Sequence, residues 1–223
     1  MSAPAPSPLL RLRRLLGRVR RRFAVDNFDV FVRPVPSAGG FEALAGYEFR
    51  FGTAADVERC DLLHTELDER ERREGVRRLA SGHRVVLGLA GGTIVFTMWV
   101  NPRNLNVPGL LKRALGPRQW FIYKAFTSPA HRGKKLYESG MRFVLAEMRA
   151  AGLEELVGYA HVEKRVSRKG LAALDFTSVG RATRIDWPGF ETTYLSRQLS
   201  ARFPREVPRS GVMAAETGTP ADP

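Results

Sequence analysis

Between residues 46 and 200 the chain switches repeatedly between two hydrophobic periods, one of two residues and one of about 3.6. "YEFRFG" (47–52) alternates as a strand. "TAADVERCDLLHTEL" follows, with Thr53 placed as an N-cap, and predicts a charged helix running to about Ala80. "RVVLGLAGGTIVFTMWV" is two β-rich runs joined by Gly91-Gly92, the mark of a hairpin. "NPRNLNVPGLLKRALGPR" (101–118) interrupts the sheet with loop residues and room for one short helix, and "WFIYKAFT" (120–127) is strand again. Residues 133–151 read as a helix, with Leu136, Gly140, Phe143, Val144 and Met148 at helical spacing and Gly152 ending it. "LEELVGYAHV" is the next strand and 164–174 the next helix. "FTSVGRATRID", the turn "WPG" and "FETTYLSRQL" close with a second hairpin. The order β-α-α-β-β-β-α-β-α-β-β predicts a mixed sheet with helices on its faces. Parallel pairing is expected where a helix crosses over, between the strands around 120–127 and 154–161.

Composition narrows the picture a little. A hydrophobic content of 43% with three tryptophans supports a packed core across one domain. The 36 basic and 23 acidic residues leave a formal +13, which favours anionic partners: phosphates, anionic lipid, an acidic carrier protein or nucleic acid. Nothing interleaves aromatic and basic residues as a nucleic-acid surface would, so that partner is the weakest of the four. Cys60 is the single cysteine, which excludes an internal disulfide and a Cys-based metal site. His64, His83, His131 and His161 show no ligand spacing. Residues 1–8, "MSAPAPSP", are expected to be disordered, as is the tail 201–223. Residues 9–45 form a lead-in of basic amphipathic helix followed by a strand or linker. Its first part, "LLRLRRLLGRVRRRF", puts Leu9, Leu12, Leu15, Leu16, Val19 and Phe23 on one helical side and arginines on the other. That pattern suits an anionic membrane surface, a packed helix or a targeting segment. The expected location is cytoplasmic, peripheral at a membrane.

Two stretches carry chemistry. "SPAHRGKKLYESG" (128–140) follows a strand and opens a helix, so basic and small residues stand where unpaired backbone N–H groups grip anions. "EKRVSRKGLAALDF" (163–176) sits at the next strand-to-helix step. Together with the element order, these resemble the GNAT N-acyltransferase superfamily. "TSPAHRGKKLY" resembles that family's V-x-P-x-x-R-G-x-G-x-G/A, and the second stretch resembles its N-x-x-S/A…L-G-F.

The resemblance covers about residues 46–200. It implies an α/β (α+β) fold: a mixed, mostly antiparallel twisted sheet of about six to seven strands, flanked by helices, with a splayed central parallel pair. It also implies acetyl-CoA or another acyl-CoA as co-substrate, without a metal. Carried over, Arg132, Gly133, Lys134, Lys135, Leu136 and Tyr137 hold the pyrophosphate. Ala125, Phe126 and Thr127 pair with the pantetheine arm, and Ser167 takes the S/A position. The chain departs from the pattern in several places. The family's second glycine is Lys135 and its third small residue is Tyr137. Its asparagine is Lys164, and the glycine of the G-F pair is Asp175.

Amine acylation by a thioester needs a free amine, a positioned carbonyl and a path for protons. The tyrosine that commonly protonates the thiolate is Leu171 here, and a common carboxylate position falls near Phe121. The substitutes are Tyr123 on the central strand, and Tyr159, His161 and Glu163 at the end of the neighbouring one. The expected acceptor is an amine of a small molecule, an amino sugar or a lipid-linked molecule, with 101–118 bordering its pocket. Two alternatives keep the fold. One takes a longer acyl chain from acyl carrier protein, docked by Lys134, Lys135, Lys164, Arg165, Arg168 and Lys169. The other only senses CoA.

Overall fold

A computed structural model of the chain describes residues 24–61, 65–107, 111–187 and 190–204. The predicted disordered start, the basic segment 9–23 and the tail from 205 lie outside the described residues. Among the described residues, ten strands and five α-helices follow in order: β1 (Ala24–Pro34), β2 (Glu48–Phe51), α1 (Ala54–Arg59), α2 (Glu69–Ala80), β3 (Arg84–Ala90), β4 (Thr93–Asn101), β5 (Asn104–Val107) and β6 (Leu111–Ala114). Then come β7 (Gln119–Thr127), α3 (Leu136–Ala150), β8 (Glu155–His161), α4 (Arg165–Ala172), β9 (Thr177–Trp187), β10 (Phe190–Leu195) and α5 (Arg197–Arg202).

Eight of the strands make one sheet in the order β10-β9-β1-β8-β7-β4-β3-β2, and β5-β6 form a separate hairpin. Every neighbouring pair in the large sheet is antiparallel except β7-β8, which α3 connects as a crossover. The mixed sheet and its central parallel pair are as the sequence predicts. The eighth strand is β1, the lead-in strand, which the sequence reading leaves without a place in the sheet. It lies between β8 and β9, with Val30 opposite Tyr159 on one side and Gly180 on the other.

Strand alternation divides the interior into two faces. On β7, Trp120 and Ile122 enter the core beneath α3, while Phe121 and Tyr123 enter the opposite one. The α3 core includes Phe96, Met98, Leu136, Met141, Val144, Met148 and Leu171. The other face is covered in two halves. Helices α1 and α2 cover Val85, Leu87 and Trp99, while the β5-β6 hairpin and α5 cover Val30, Val32, Phe121 and Val157. Tyr123 packs against both halves and so marks the seam between them.

One sequence expectation gains detail and one changes. Between β2 and β3 stand two helices, α1 and α2, as the predicted order has them. Thr53 does cap the first: its hydroxyl accepts from the Asp56 N–H at 3.3 Å, and Asp56 accepts from the Thr53 N–H at 2.7 Å. The chain turns extended at Cys60, buries Cys60, Thr65 and Leu67, and restarts at Asp68, whose carboxylate accepts from the Glu71 N–H at 2.8 Å. Within 101–118, Asn104–Val107 and Leu111–Ala114 pair as the two strands β5 and β6 where a short helix is expected. There Leu105, Val107 and Leu111 are buried against the sheet, an arrangement met by strand alternation.

Helix α3 lies close on the sheet at Gly140, where an added Cβ would stand 2.5 Å from a ring carbon of Phe96. Gly140→Ala is expected to lower stability by about 1–3 kcal/mol through overpacking, although alanine favours helix. Denaturant unfolding of the two proteins measures it.

Candidate active site

The parallel pairing of β7 with β8 covers Gln119–Glu155, Trp120–Leu156 and Phe121–Val157, and stops there. Beyond it both strands continue, β7 to Thr127 and β8 to His161, with no ladder between them. The cause lies on the other edge of β7. Trp99 of β4 faces Tyr123 and Thr97 faces Phe126, so Met98 stands opposite two residues, Lys124 and Ala125. This is a β-bulge, which bends and twists the strand that carries it. Lys124 takes the left-handed conformation, φ 47°, and its ammonium reaches Glu71 of α2 at 2.6 Å. The bulge turns β7 out of register with β8 and opens a fork. Ala125, Phe126 and Thr127 lie along its edge, with Ala125 exposed.

At the open end of the fork the chain makes a 3-10 turn at Pro129–His131 and enters α3. Gly133 (φ 76°) and Lys135 (φ 60°) are both left-handed, and Lys135 is the N-cap, making no side-chain cap. These two left-handed residues turn the chain sharply into the helix, and the free N–H groups of such a turn form a concavity that suits an anion. The uncapped positive end of a 15-residue helix adds to it. Arg132, Gly133, Lys134 and Lys135 are exposed around this concavity. The Arg132 guanidinium folds back to donate to the Thr127 carbonyl at 3.2 Å, tying the turn to the strand end. Leu136 is buried in the α3 core. Tyr137 packs under the turn against Gly170 of α4, and burial pushes its phenol pKa well up. Ser167 is exposed on α4.

The left-handed backbone explains two departures from the family pattern. Lys135 and Asp175 stand where the motifs have glycine, and both keep the conformation glycine serves, with φ of 60° and 58°. The backbone geometry survives although the residue type does not.

On the face opposite α3, the seam at Tyr123 opens into a cavity of about 300 Å³ between α2 and the β5-β6 hairpin. Its lining includes Glu74, Arg77, Arg78, His83, Asn106 and Tyr123. The Tyr123 hydroxyl and His83 Nδ1 lie 2.6 Å apart. Burial pushes the Tyr123 phenol above its ordinary value. Burial also pushes the His83 imidazole below its ordinary 6.5, with the charges of Arg78 and Arg103 adding to the effect. His83 is thus held neutral against a protonated phenol. Glu74 pairs with Arg77 at 2.9 Å and Arg78 at 3.7 Å, and Arg78 lies over the Trp99 ring.

The other predicted groups stand further along the same face. Phe121 stacks between Tyr123 and Tyr159, each with ring centroids 5.7 Å away, and Phe28 bridges Tyr159 to His161. Between Tyr123 and His161 there is therefore a column of rings. His161 Nδ1 accepts from the Glu163 N–H at 3.2 Å, and its Nε2 is 3.8 Å from Asp26. The Glu163 side chain is exposed. Leu171 is buried in the α3 core. Of the carrier-docking cations, Arg168 turns inward to Asp29 at 3.2 Å. Sequence reasoning missed His83, which has no ligand spacing and, unlike His161, does not lie on either strand of the central pair. Its only local signal is the "SGH" turn between a charged helix and a buried strand.

No protein-family model matches the chain, and no curated protein does. Solved structures do. A protein from Novosphingobium aromaticivorans described as an acetyltransferase of the GNAT family aligns with a TM-score of 0.51 at 16% identity, over 82% of this chain and 68% of its own. A Drosophila protein aligns at 0.53 and 10% identity over 80% of this chain and 57% of its own. A conserved protein of unknown function from Staphylococcus epidermidis aligns at 0.50 and 10% identity, over 82% and 68%. The chain has the GNAT fold. Among the described residues no helix is long and apolar enough to cross a membrane.

The His83 environment has a consequence for stability. The unfolded imidazole takes a proton below about pH 6.5 while the folded one resists, so the unfolded state binds more protons there. Stability is expected to rise with pH through the window just below 6.5, and His83→Asn should flatten that part of the profile. Urea midpoints of both proteins from pH 5 to 8 measure the difference.

Proposed function

We propose that this GNAT-fold chain is an N-acyltransferase that moves an acetyl or other acyl group from acyl-CoA to the amine of a small-molecule acceptor. One observation carries the reading: the bulge-driven fork ends at an uncapped helix whose left-handed turn offers backbone N–H groups. The residues present fit the co-substrate. Pyrophosphate charge meets the N–H groups of Gly133 to Tyr137, and the pantetheine arm fills the missing ladder position beside Ala125, Phe126 and Thr127. When bound, acyl-CoA supplies the thioester carbonyl that is attacked.

The acceptor enters from the cavity beside Tyr123, so the two molecules meet at the bulge from opposite sides of the sheet. The amine nitrogen forms the new C–N bond, and the C–S bond then breaks. The proton shed by nitrogen passes to the Tyr123 oxygen as the Tyr123 proton passes to His83 Nδ1, and from His83 to solvent. His83 suits this because its surroundings keep it neutral and able to accept. The thiolate takes its proton from water, since Leu171 replaces the usual donor. His161 and Glu163 stand beyond Phe121 and Tyr159 and are assigned no step.

Acyl-CoA is expected to raise the melting temperature by mass action, a gain of about 2.7 kcal/mol at 100 times Kd. A flat response across acyl-CoAs of different chain length would overturn the co-substrate. Tyr123→Phe should leave that binding intact and lower kcat by about 100-fold or more. Lys135→Gly should keep acyl-CoA affinity, because the turn already has glycine's backbone geometry. Comparison with Lys135→Ala, which retains the left-handed strain, separates the role of the backbone from that of the ammonium.

A further inference from the structure

A second basic cavity lies at the opposite end of the sheet from the fork. It is enclosed by the C-terminal half of α3, the segment 36–40 after β1, and the turn between α4 and β9, with a volume of about 350 Å³. Three guanidinium groups line it: Arg33 of β1, and Arg142 and Arg149 of α3. Arg33 lies opposite Leu156, at the start of β8, whereas the cradle stands beyond the end of β7. At 1.5 Å per residue, Arg149 is roughly 20 Å along α3 from the cradle. Acyl-CoA phosphates held at that N-terminus belong to the other end of the helix.

Two carboxylates offset these charges in part: Asp175, which also lines the cavity, and Glu138. The Arg33 side chain is 15% exposed, and its Nη1 is buried with no hydrogen-bond partner. Its Nη2 reaches only Asp175, at 3.6 Å, and that carboxylate is 85% exposed. Arg142 is tied to Glu138 at 2.8 Å but remains mostly exposed. Arg149 lies against Gly39, within 3.8 Å of where a Cβ would stand, so a small backbone there leaves room for the head group. A buried cationic donor without a partner costs free energy that an anion in the same cavity would recover. Burial, and after it Arg142, lowers the Arg33 pKa against the pull of Asp175.

We infer that this cavity is a second anion site, built by Arg33, Arg142 and Arg149 to take a phosphate or phosphomonoester dianion. A tetrahedral oxyanion presents several acceptors at once, which matches guanidinium groups converging from a strand and a helix. Once bound, it would tie β1 to the C-terminal half of α3. The site does not depend on the acyltransferase reading, because none of its residues belongs to the fork or the acceptor cavity.

The test uses the full chain, with melting curves and calorimetric titration in sodium phosphate against sodium chloride of equal ionic strength. Phosphate should give a saturable rise in melting temperature that chloride does not. Glycerol 3-phosphate run beside it distinguishes the source, tighter binding marking a phosphomonoester and weaker binding free phosphate. Arg33→Met and Arg149→Gln should each weaken phosphate at least tenfold. In chloride, Arg33→Met should melt no lower than the parent, because it removes a buried donor, Nη1, that has no partner and loses only a long contact to the exposed Asp175. If that variant fails to fold, Arg149→Gln alone decides the matter. The phosphate effect should persist with CoA at saturation. Identical curves in phosphate and chloride, unchanged affinity in the variants, or loss of the phosphate effect on adding CoA would each overturn the assignment.

Discussion

The bulge on β7 is the constraint from which the rest of the site follows. A parallel pair in the middle of a sheet has every reason to zip along its whole length, since its backbone groups otherwise go unpaired. Here the zipping halts at Phe121 because β4 holds two residues of β7 against one of its own. The left-handed Lys124 at that point costs on the order of 1 kcal/mol in backbone strain. Its ammonium is anchored by Glu71, so the strained turn is braced from outside the sheet. The fork, the exposed strand edge and the position of Tyr123 at the seam are all set by this single irregularity.

Much of the framework was legible because it rests on periodicity. The helical face of α3 at Leu136, Val144 and Met148, the hairpin at Gly91-Gly92 and the crossover between β7 and β8 all follow from apolar spacing. β1 was legible only as a lead-in strand or linker, and its place inside the sheet was hidden for a physical reason. "NFDVFVRP" contains Asp29, which a polar-outward reading places in solvent, yet it is 4% exposed and held by Arg181 at 2.7 Å and by Arg168. The register with β9 also shifts between Val30 and Phe31, so the strand breaks its own alternation. A buried, paired charge and a bulge together hide a strand in the sheet interior.

The site divides along the same line. Its cradle could be read because it is local, a strand end, a turn and a helix start within "SPAHRGKKLYESG". The pairing of His83 with Tyr123 joins residues 40 apart, and no local pattern announces it. The bulge is a property of two strands in register, which neither strand carries alone. Lys135 and Asp175 show the converse: residues that look like losses from a motif keep the backbone the motif exists to make.

The place of β1 bears on how the chain is made. Its neighbours are β8 and β9, which begin at Glu155 and Thr177. A ribosome adding roughly 5–20 residues per second produces β1 many seconds before either partner. Through that interval "FDVFV" has both edges open and apolar side chains on both faces. Meanwhile β2, β3 and β4 meet their partners almost as they emerge. One half of the sheet can therefore form during synthesis, while the other waits for the C-terminal third to close around β1.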